Sequence, residues 1–459
     1  MTRPSLAGKL RRDLGRAESY AALLGILVGA GIFRVTADVG RITGPSAILG
    51  YLVLAPAILA TSVAYCVFLS TPLGSEPGGE YAHISRTLCG HRLAFVGAWL
   101  KITSYIGAMA YLSHALADYI IEIAAGWLGA EARLGLALAC LAIFYVIHAV
   151  GVRWFGRIQV AMCLLLALSL VVLVVPGLTA VSLSNYRPFF TQGGWGFLAA
   201  MIPLFFSYAG FESLAQAAGE VKDSRRHLPR VFLLGLCAST IIFATMSAVA
   251  FGVLPQERIA GSPAPMADVA AVYLPAGATA FVNLGAIMAI ATSLNSTMLV
   301  PSRLGIMLAA DGLAPGWLGT VSARTGTPLV GLTLTAGMGA LLLASDQIGL
   351  ALNIAVFALL VLYLLHSAMV LMLPRWNPDL YRQVTVRIPR WIQVASALVS
   401  IASMGGLALL QVSEDLNVLV QSSIAERISG LSLTSLEITI AWGLVGLGAY
   451  ALGRRARRS

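Results

Sequence analysis

Val28-Gly29-Ala30-Gly31-Ile32-Phe33 sits in the middle of the first long apolar run of the chain. Phe205-Phe206-Ser207-Tyr208-Ala209-Gly210-Phe211-Glu212-Ser213 sits in the middle of the sixth. Two glycines two apart in a membrane helix have two readings. One is close packing against a neighbouring helix through small side chains. The other is a break, because glycine tolerates the dihedrals of an unwound stretch, and the freed amides and carbonyls then bind a ligand. The second stretch adds a carboxylate two residues after its glycine, and an acid inside a bilayer is costly and a functional candidate. The two runs are five apart. Paired interrupted helices at that interval point to an inverted repeat of five spans, with the broken helices meeting at a midplane site. Five is odd, so the second repeat enters from the opposite side.

The rest of the chain agrees with a membrane setting. Of its 459 residues 58% are hydrophobic and only 11% charged, against about 25% charged in soluble domains. Mean hydropathy is +0.85, which leaves no room for a sizeable soluble domain. Runs of about 18 or more apolar residues read as spanning helices, since backbone amides in lipid must be satisfied within the helix. Twelve are expected, at roughly 19–40, 46–70, 93–120, 132–150, 155–176, 196–218, 229–254, 277–305, 328–345, 349–373, 391–411 and 433–452. The basic, polar N-terminus is not followed by a short apolar core with a cleavage site, so no cleaved signal is expected.

The net charge of +10 would suggest nucleic acid in a soluble protein. Here the basic residues fall in short loops, where they set topology. With the N-terminus in the cytoplasm, 23 of the 30 Lys and Arg lie on the inner side, six on the outer side, and Lys101 inside a span. That bias places both termini on the cytoplasmic side of an inner membrane and requires an even number of spans. The expected organisation is a cytoplasmic tail 1–18, a first repeat 19–176, a second repeat 196–373, two further spans within 391–452, and a basic tail 453–459. Residues 71–92 read as a turn followed by a short amphipathic stretch on the cytoplasmic side. Residues 412–430 read as an outer loop. The five cysteines form no CxxC pair and read as small buried hydrophobes.

The chemistry of such a site is specific. A half-helix beginning after Gly31 presents free N–H groups at its positive dipole end, which suits a carboxylate. A half-helix ending before Ala209-Gly210 presents free carbonyls, which suit an ammonium. A zwitterionic α-amino acid matches both ends without a charged side chain.

GAGIF at 29–33, FFSYAGFESLAQAAGEVKDSRRHLPR at 205–230, SRLGIMLAADGLAP at 302–315, TGTP at 325–328 and PGGEYAHISR at 77–86 together resemble the amino acid–polyamine–organocation (APC) superfamily, whose members share the LeuT-type fold. The resemblance covers nearly the whole chain. It implies a secondary transporter, and an all-α architecture of five plus five inverted spans with two more at the C-terminus. It further implies that backbone around Ala30 and Gly31 binds the substrate carboxylate, with Leu27 helping to line that side, and that carbonyls near Phe206, Ser207 and Ala209 take the amine. Phe206 aligns with an aromatic gate; its alternative is a core aromatic. Glu212 matches an acid proposed as proton-sensing in some relatives; its alternative is a helix-stabilising acid bonded to Ser or Tyr hydroxyls.

Coupling is left open at this point. Some relatives carry a lysine in the fifth span where others bind sodium, and the aligned residue here is Leu166. Sodium-coupled members of the wider fold use oxygens that align with the carbonyls of Gly25, Val28 and Ala289 and the hydroxyls of Thr292 and Ser293. Neighbouring hydroxyls in a membrane helix also bond back to the preceding turn. Na+ symport, H+ symport, and exchange or antiport all stand, and no other cofactor is implied. Lys101 has two readings: snorkelling to the nearer surface, or an inner-gate or coupling charge. An enzyme is not expected, since HExxH, GxSxG and a recognisable Ser/His/Asp set are missing. A channel or a sensor built on a carrier fold is a remote alternative. Few acids lie near the expected site, which favours neutral amino acids over polyamines or other organic amines.

Overall fold

A computed structural model describes residues 10–124, 127–262, 264–345, 348–421 and 434–456. Helices account for the whole architecture of these residues; the one β-type contact is a bridge between Leu14 and Val221. The first expected span is two helices, α1 (Arg16–Leu27) and α2 (Ala30–Ile42). Then come α3 (Ala47–Leu69), a short α4 (Gly79–Thr87), α5 (Arg92–Ile123), α6 (Arg133–Val150) and α7 (Val152–Ala180). The sixth span is α8 (Gly193–Tyr208) followed by α9 (Ser213–Gln216). The chain continues as α10 (Ser224–Val253), α11 (Gln256–Gly261), α12 (Pro265–Tyr273), α13 (Ala276–Ala310), α14 (Leu329–Ala344), α15 (Ile348–Trp376), α16 (Pro378–Tyr381), α17 (Arg390–Gln421) and α18 (Ser435–Ala456).

Ten of the helical stretches are long and apolar enough to cross a membrane, and Leu329–Ala344 and Leu436–Gly448 are apolar but shorter. Their outward faces explain why. On α7, Leu164, Leu168, Val171, Val175 and Leu178 are all more than half exposed and recur every three or four residues, so they form one stripe. Such a stripe is unfavourable in water and at ease in lipid. This is a multi-pass membrane protein.

Contacts among basic segments define one end of the bundle. Leu14 bonds Glu220 and Lys222 through the backbone, Arg16 reaches His227, Arg225 donates to the Ser70 carbonyl, and Arg86 pairs with Asp311 at 3.1 Å. We call this the basic end.

Two segments differ from the expectation. The stretch before α5 is not a surface amphipath. Gly78 (φ +99°) and Gly79 (φ +41°) turn the chain inward, and every α4 residue except Arg86 is buried. Its polar groups find partners inside the bundle. Residues 412–421 are not loop but the last turns of α17, because Glu414 and Asp415 face a water-accessible cavity; Glu426 lies outside the described residues.

Candidate functional site

The first span breaks at Val28 (ψ +38°) and Gly29 (φ −100°, ψ −129°), and α2 starts at Ala30. The free N–H groups therefore begin two residues earlier than a break after Gly31 would place them. Gly31 is helical and its small size has another use. A Cβ there would lie 2.6 Å from the Cα of Ser207, backbone against backbone. A Cβ on Gly29 would overlap the Ser293 hydroxyl. Break and close packing coexist in one motif. The sixth span leaves the helix after Tyr208: Ala209 is extended, and Gly210 takes φ +100°, a conformation that favours glycine. The Ser207 hydroxyl donates to the Gly31 carbonyl at 3.1 Å, tying the two interruptions together.

Between them lies a cavity of about 40 Å³ whose wall includes Gly31, Phe206, Ala209, Gly210, Tyr105 and Ser293. Small-molecule pockets run from about 300 Å³ upward, so the site is closed down in this conformation. None of its described lining residues is charged. Phe206 also lines a second cavity of about 540 Å³, away from the basic end, together with Asp38, Glu414 and Asp415. Phe206 is the one described residue that lines both the small cavity and this wide acidic vestibule. Tyr111 braces it edge-to-face at 5.9 Å. Replacing Phe206 by Ala is expected to raise the substrate concentration for half-maximal uptake roughly tenfold, the equivalent of about 1.4 kcal/mol. Uptake kinetics in vesicles check this, and an unchanged half-saturation would make Phe206 a packing residue.

Under the cavity, toward the basic end, sits a sealed ionic cluster. Glu212 accepts from the Tyr105 hydroxyl at 2.7 Å, from the Tyr363 hydroxyl, and from the Gly210 amide at 3.1 Å. Lys101 Nζ stands 3.6 Å from Glu212 and donates to both oxygens of Glu80 at 2.8 Å. Glu80 also accepts from the Tyr65 hydroxyl at 2.5 Å and from the Gln216 amide. Lys101 is 2% exposed and both acids are fully buried, so the lysine does not snorkel. Two carboxylates share one ammonium. On α4, burial raises the Glu80 pKa against the opposing pull of Lys101.

The remaining sequence-named residues fall as follows. Leu27 is buried, but the cavity wall is formed by its neighbour Ile26. Ala30 is placed at the start of α2; its side chain lies outside the described residues. Gly25, Ala289, Thr292 and Ser293 come together: Thr292 donates to the carbonyls of Gly25 (3.0 Å) and Ala289 (2.7 Å), and Ser293 to those of Gly25 (3.1 Å) and Ile26 (3.0 Å). Gln159 adds an amide donor to the Ala21 and Thr292 carbonyls. Leu166 is buried on α7.

At the basic end, Arg303 and Glu220, both buried, form a two-bonded pair at 2.9 and 3.0 Å. Asp311 accepts from Arg86 and Tyr81. Burial raises its carboxyl pKa, but these donors and the Arg86 charge outweigh it and leave the pKa below the ordinary value.

The family model described as "Amino acid permease" matches residues 14–425. The chain belongs to this family. A permease of this kind is a transporter and not an enzyme. Among curated relatives, this permease is 27% identical over 394 residues to the branched-chain amino acid permease BcaP of Bacillus subtilis, covering 81% of this chain and 83% of that one. It is 25% identical over 403 residues to the methylthioribose transporter of the same organism, covering 84% and 86%. It is 26% identical over 331 residues to the chloroplastic cationic amino acid transporter 9 of Arabidopsis thaliana, covering 68% and 58%. General amino acid transport follows for this permease.

Sequence reasoning missed Glu80, Tyr105, Tyr363 and Gln159. Glu80 had a signal, a lone acid directly after a double glycine, but it reads as solvated until α4 is known to be buried.

Proposed function

We propose that this permease carries a small uncharged α-amino acid across the cytoplasmic membrane by alternating access, driven by protons. Ten long apolar helices and two shorter ones support twelve spans in a five-plus-five inverted repeat, with the basic end and both termini in the cytoplasm. The paired breaks support the site assignment. The substrate carboxylate meets the α2 amides at Ala30 and Gly31, and the ammonium meets the carbonyls at the end of α8. The absence of charge among the described lining residues favours a substrate with no net charge, since an unpaired charge in a closed pocket is costly.

The observation that carries the coupling is the cluster of two acids and one lysine. With both carboxylates ionised it holds a net negative charge inside the bundle, and binding one proton neutralises it. Because the Tyr105 hydroxyl links Glu212 to the cavity wall, closure over a substrate and retention of that proton involve the same residues. Sodium is less favoured. At the alternative site the hydroxyls of Thr292 and Ser293 already donate to the carbonyls that would ligate the ion.

The test is uptake of labelled amino acids into proteoliposomes under an inward proton gradient, an inward sodium gradient, or with internal amino acid only. Accumulation on the proton gradient alone is the expected result. The double variant Thr292→Ala with Ser293→Ala is expected to keep its proton-driven uptake. If sodium alone drives accumulation, and this variant needs more of it, the coupling site moves to the hydroxyls.

A further inference from the structure

Two buried histidines continue the ionic cluster toward the basic end. On α4, His83 follows Glu80 by three residues. On α15, His366 follows Tyr363 by three, and Tyr363 is the Glu212 partner. The two rings meet, with His83 Nδ1 2.9 Å from His366 Nε2. Both are essentially inaccessible, at 1% and 0% exposure. Phe68 stacks on His83 at 4.7 Å and the Tyr65 ring lies 4.1 Å from that of His366. The remaining nitrogen of His366, Nδ1, is buried without a hydrogen-bond partner among the described residues. Buried polar atoms are nearly always paired, so an orphan of this kind calls for an explanation.

We propose that His83 and His366 are the relay through which the coupling proton leaves the carboxylate cluster for the cytoplasm. The inference rests on the proton-driven reading above. A neutral imidazole holds a proton on one nitrogen and a lone pair on the other, so it takes a proton at one face as it releases one at the other. In the relay, the O–H bond of protonated Glu80 breaks and an N–H bond forms on the pair. Once the cytoplasmic side opens and water reaches the pair, an N–H bond on its far side breaks and the proton passes to that water. No proton or electron is gained or lost, and the rings return to neutrality. Tyr65 lies between the two parts, with its hydroxyl on Glu80 and its ring against His366, and the proton crosses from Glu80 to the pair when the opening of the site brings them within hydrogen-bond reach. The orphan Nδ1 is the spare acceptor that such a chain requires.

The charges around the pair favour transit over storage. The Lys101 charge on α5 acts on the pair, the Tyr65 ring on α3 packs against both histidines, and Glu80 lies one turn before His83 on α4, with Glu212, Tyr105 and Tyr363 completing the cluster that Lys101 joins. Burial, and next the Lys101 charge, hold the His83 pKa down at about 3. A cation therefore does not persist beside the lysine.

The experiment separates net transport from exchange. Exchange of labelled for unlabelled substrate runs with the proton still bound and needs no relay; net uptake must release the proton each cycle. In proteoliposomes with a trapped pH dye, His366→Gln and, separately, His83→Phe are measured for substrate-driven proton entry and for exchange. The expected result is a loss of net uptake and proton entry of about a hundredfold, the size of a lost proton-transfer group, with exchange preserved. Preserved exchange also shows that the variants are folded. Equal loss of both activities in both variants overturns the relay and makes the pair structural, as does full net uptake in both. Wild-type vesicles that accumulate substrate without proton entry overturn the coupling reading and the relay with it. Proton entry in the wild type with unaffected variants overturns the relay alone.

Discussion

Lys101→Met is expected to destabilise the protein more than any other single change in the transport core. The substitution keeps the length of the side chain and removes its charge. It leaves Glu80 and Glu212, both fully buried, facing each other with no cation between them. Removing one partner of a buried ion pair costs about 3–5 kcal/mol, because the surviving charge stays uncompensated. The double variant Lys101→Met with Glu80→Gln takes out one positive and one negative charge together. It is expected to recover most of the lost heat resistance while remaining inactive in proton-driven uptake. Thermal unfolding of the purified protein in detergent, beside uptake in vesicles, reads both effects. A single variant as heat-stable as the wild type, or a double variant no better than the single, would show that the three side chains are not energetically one unit.

The second large effect is expected from Gly31→Ala. One methyl group is added 2.6 Å from the Ser207 Cα, and no side chain can rotate away to relieve the contact. Overpacking of this kind costs about 1–3 kcal/mol, here charged against the approach of α2 to α8. That is roughly a tenfold to hundredfold loss in substrate affinity, with the fold intact. Gly135→Ala on α6 is the matched control, since a Cβ there meets nothing within 4 Å. Substrate binding measured on both variants decides the matter; equal affinities would mean that the two helices do not meet closely during the cycle.

The architecture was legible because its signals are local. Apolar run length marks the spans, and the glycines of the first and sixth spans stand out against leucine-rich surroundings. What sequence alone did not disclose depends on partners distant in the chain. Lys101 read equally well as a snorkelling residue, and only the position of Glu80, 21 residues away in the chain, makes it a buried cation. The α4 segment carries glutamate, histidine and arginine, and such composition ordinarily lies on a surface. Its burial follows from ties to α5, α13 and α15 that no periodicity encodes. Glu414 and Asp415 likewise read as loop residues, because an acidic helix turn facing a wet vestibule and an acidic loop have the same composition. The Thr292 and Ser293 hydroxyls lie against the Gly25 carbonyl. Their role as donors to its carbonyl becomes apparent only once Gln159 of α7 is seen occupying the same region.

The position of Phe206 has a consequence for the rhythm of turnover. On the vestibule side the Phe206 ring, braced by Tyr111, lines both the closed cavity and the open vestibule; side-chain rotations of that size belong to fast local motion. On the opposite side lie the Lys101 cluster, the stacked histidines, and the Arg303–Glu220 and Arg86–Asp311 pairs, all of which must part together, a collective rearrangement of packed helices in the microsecond-to-millisecond range or slower. The two doors of the carrier are thus unequal in thickness. On the alternating-access reading proposed above, a solute arriving from the vestibule is expected to sample the site and leave many times for each passage completed, with the rate of the cycle set by the thicker side.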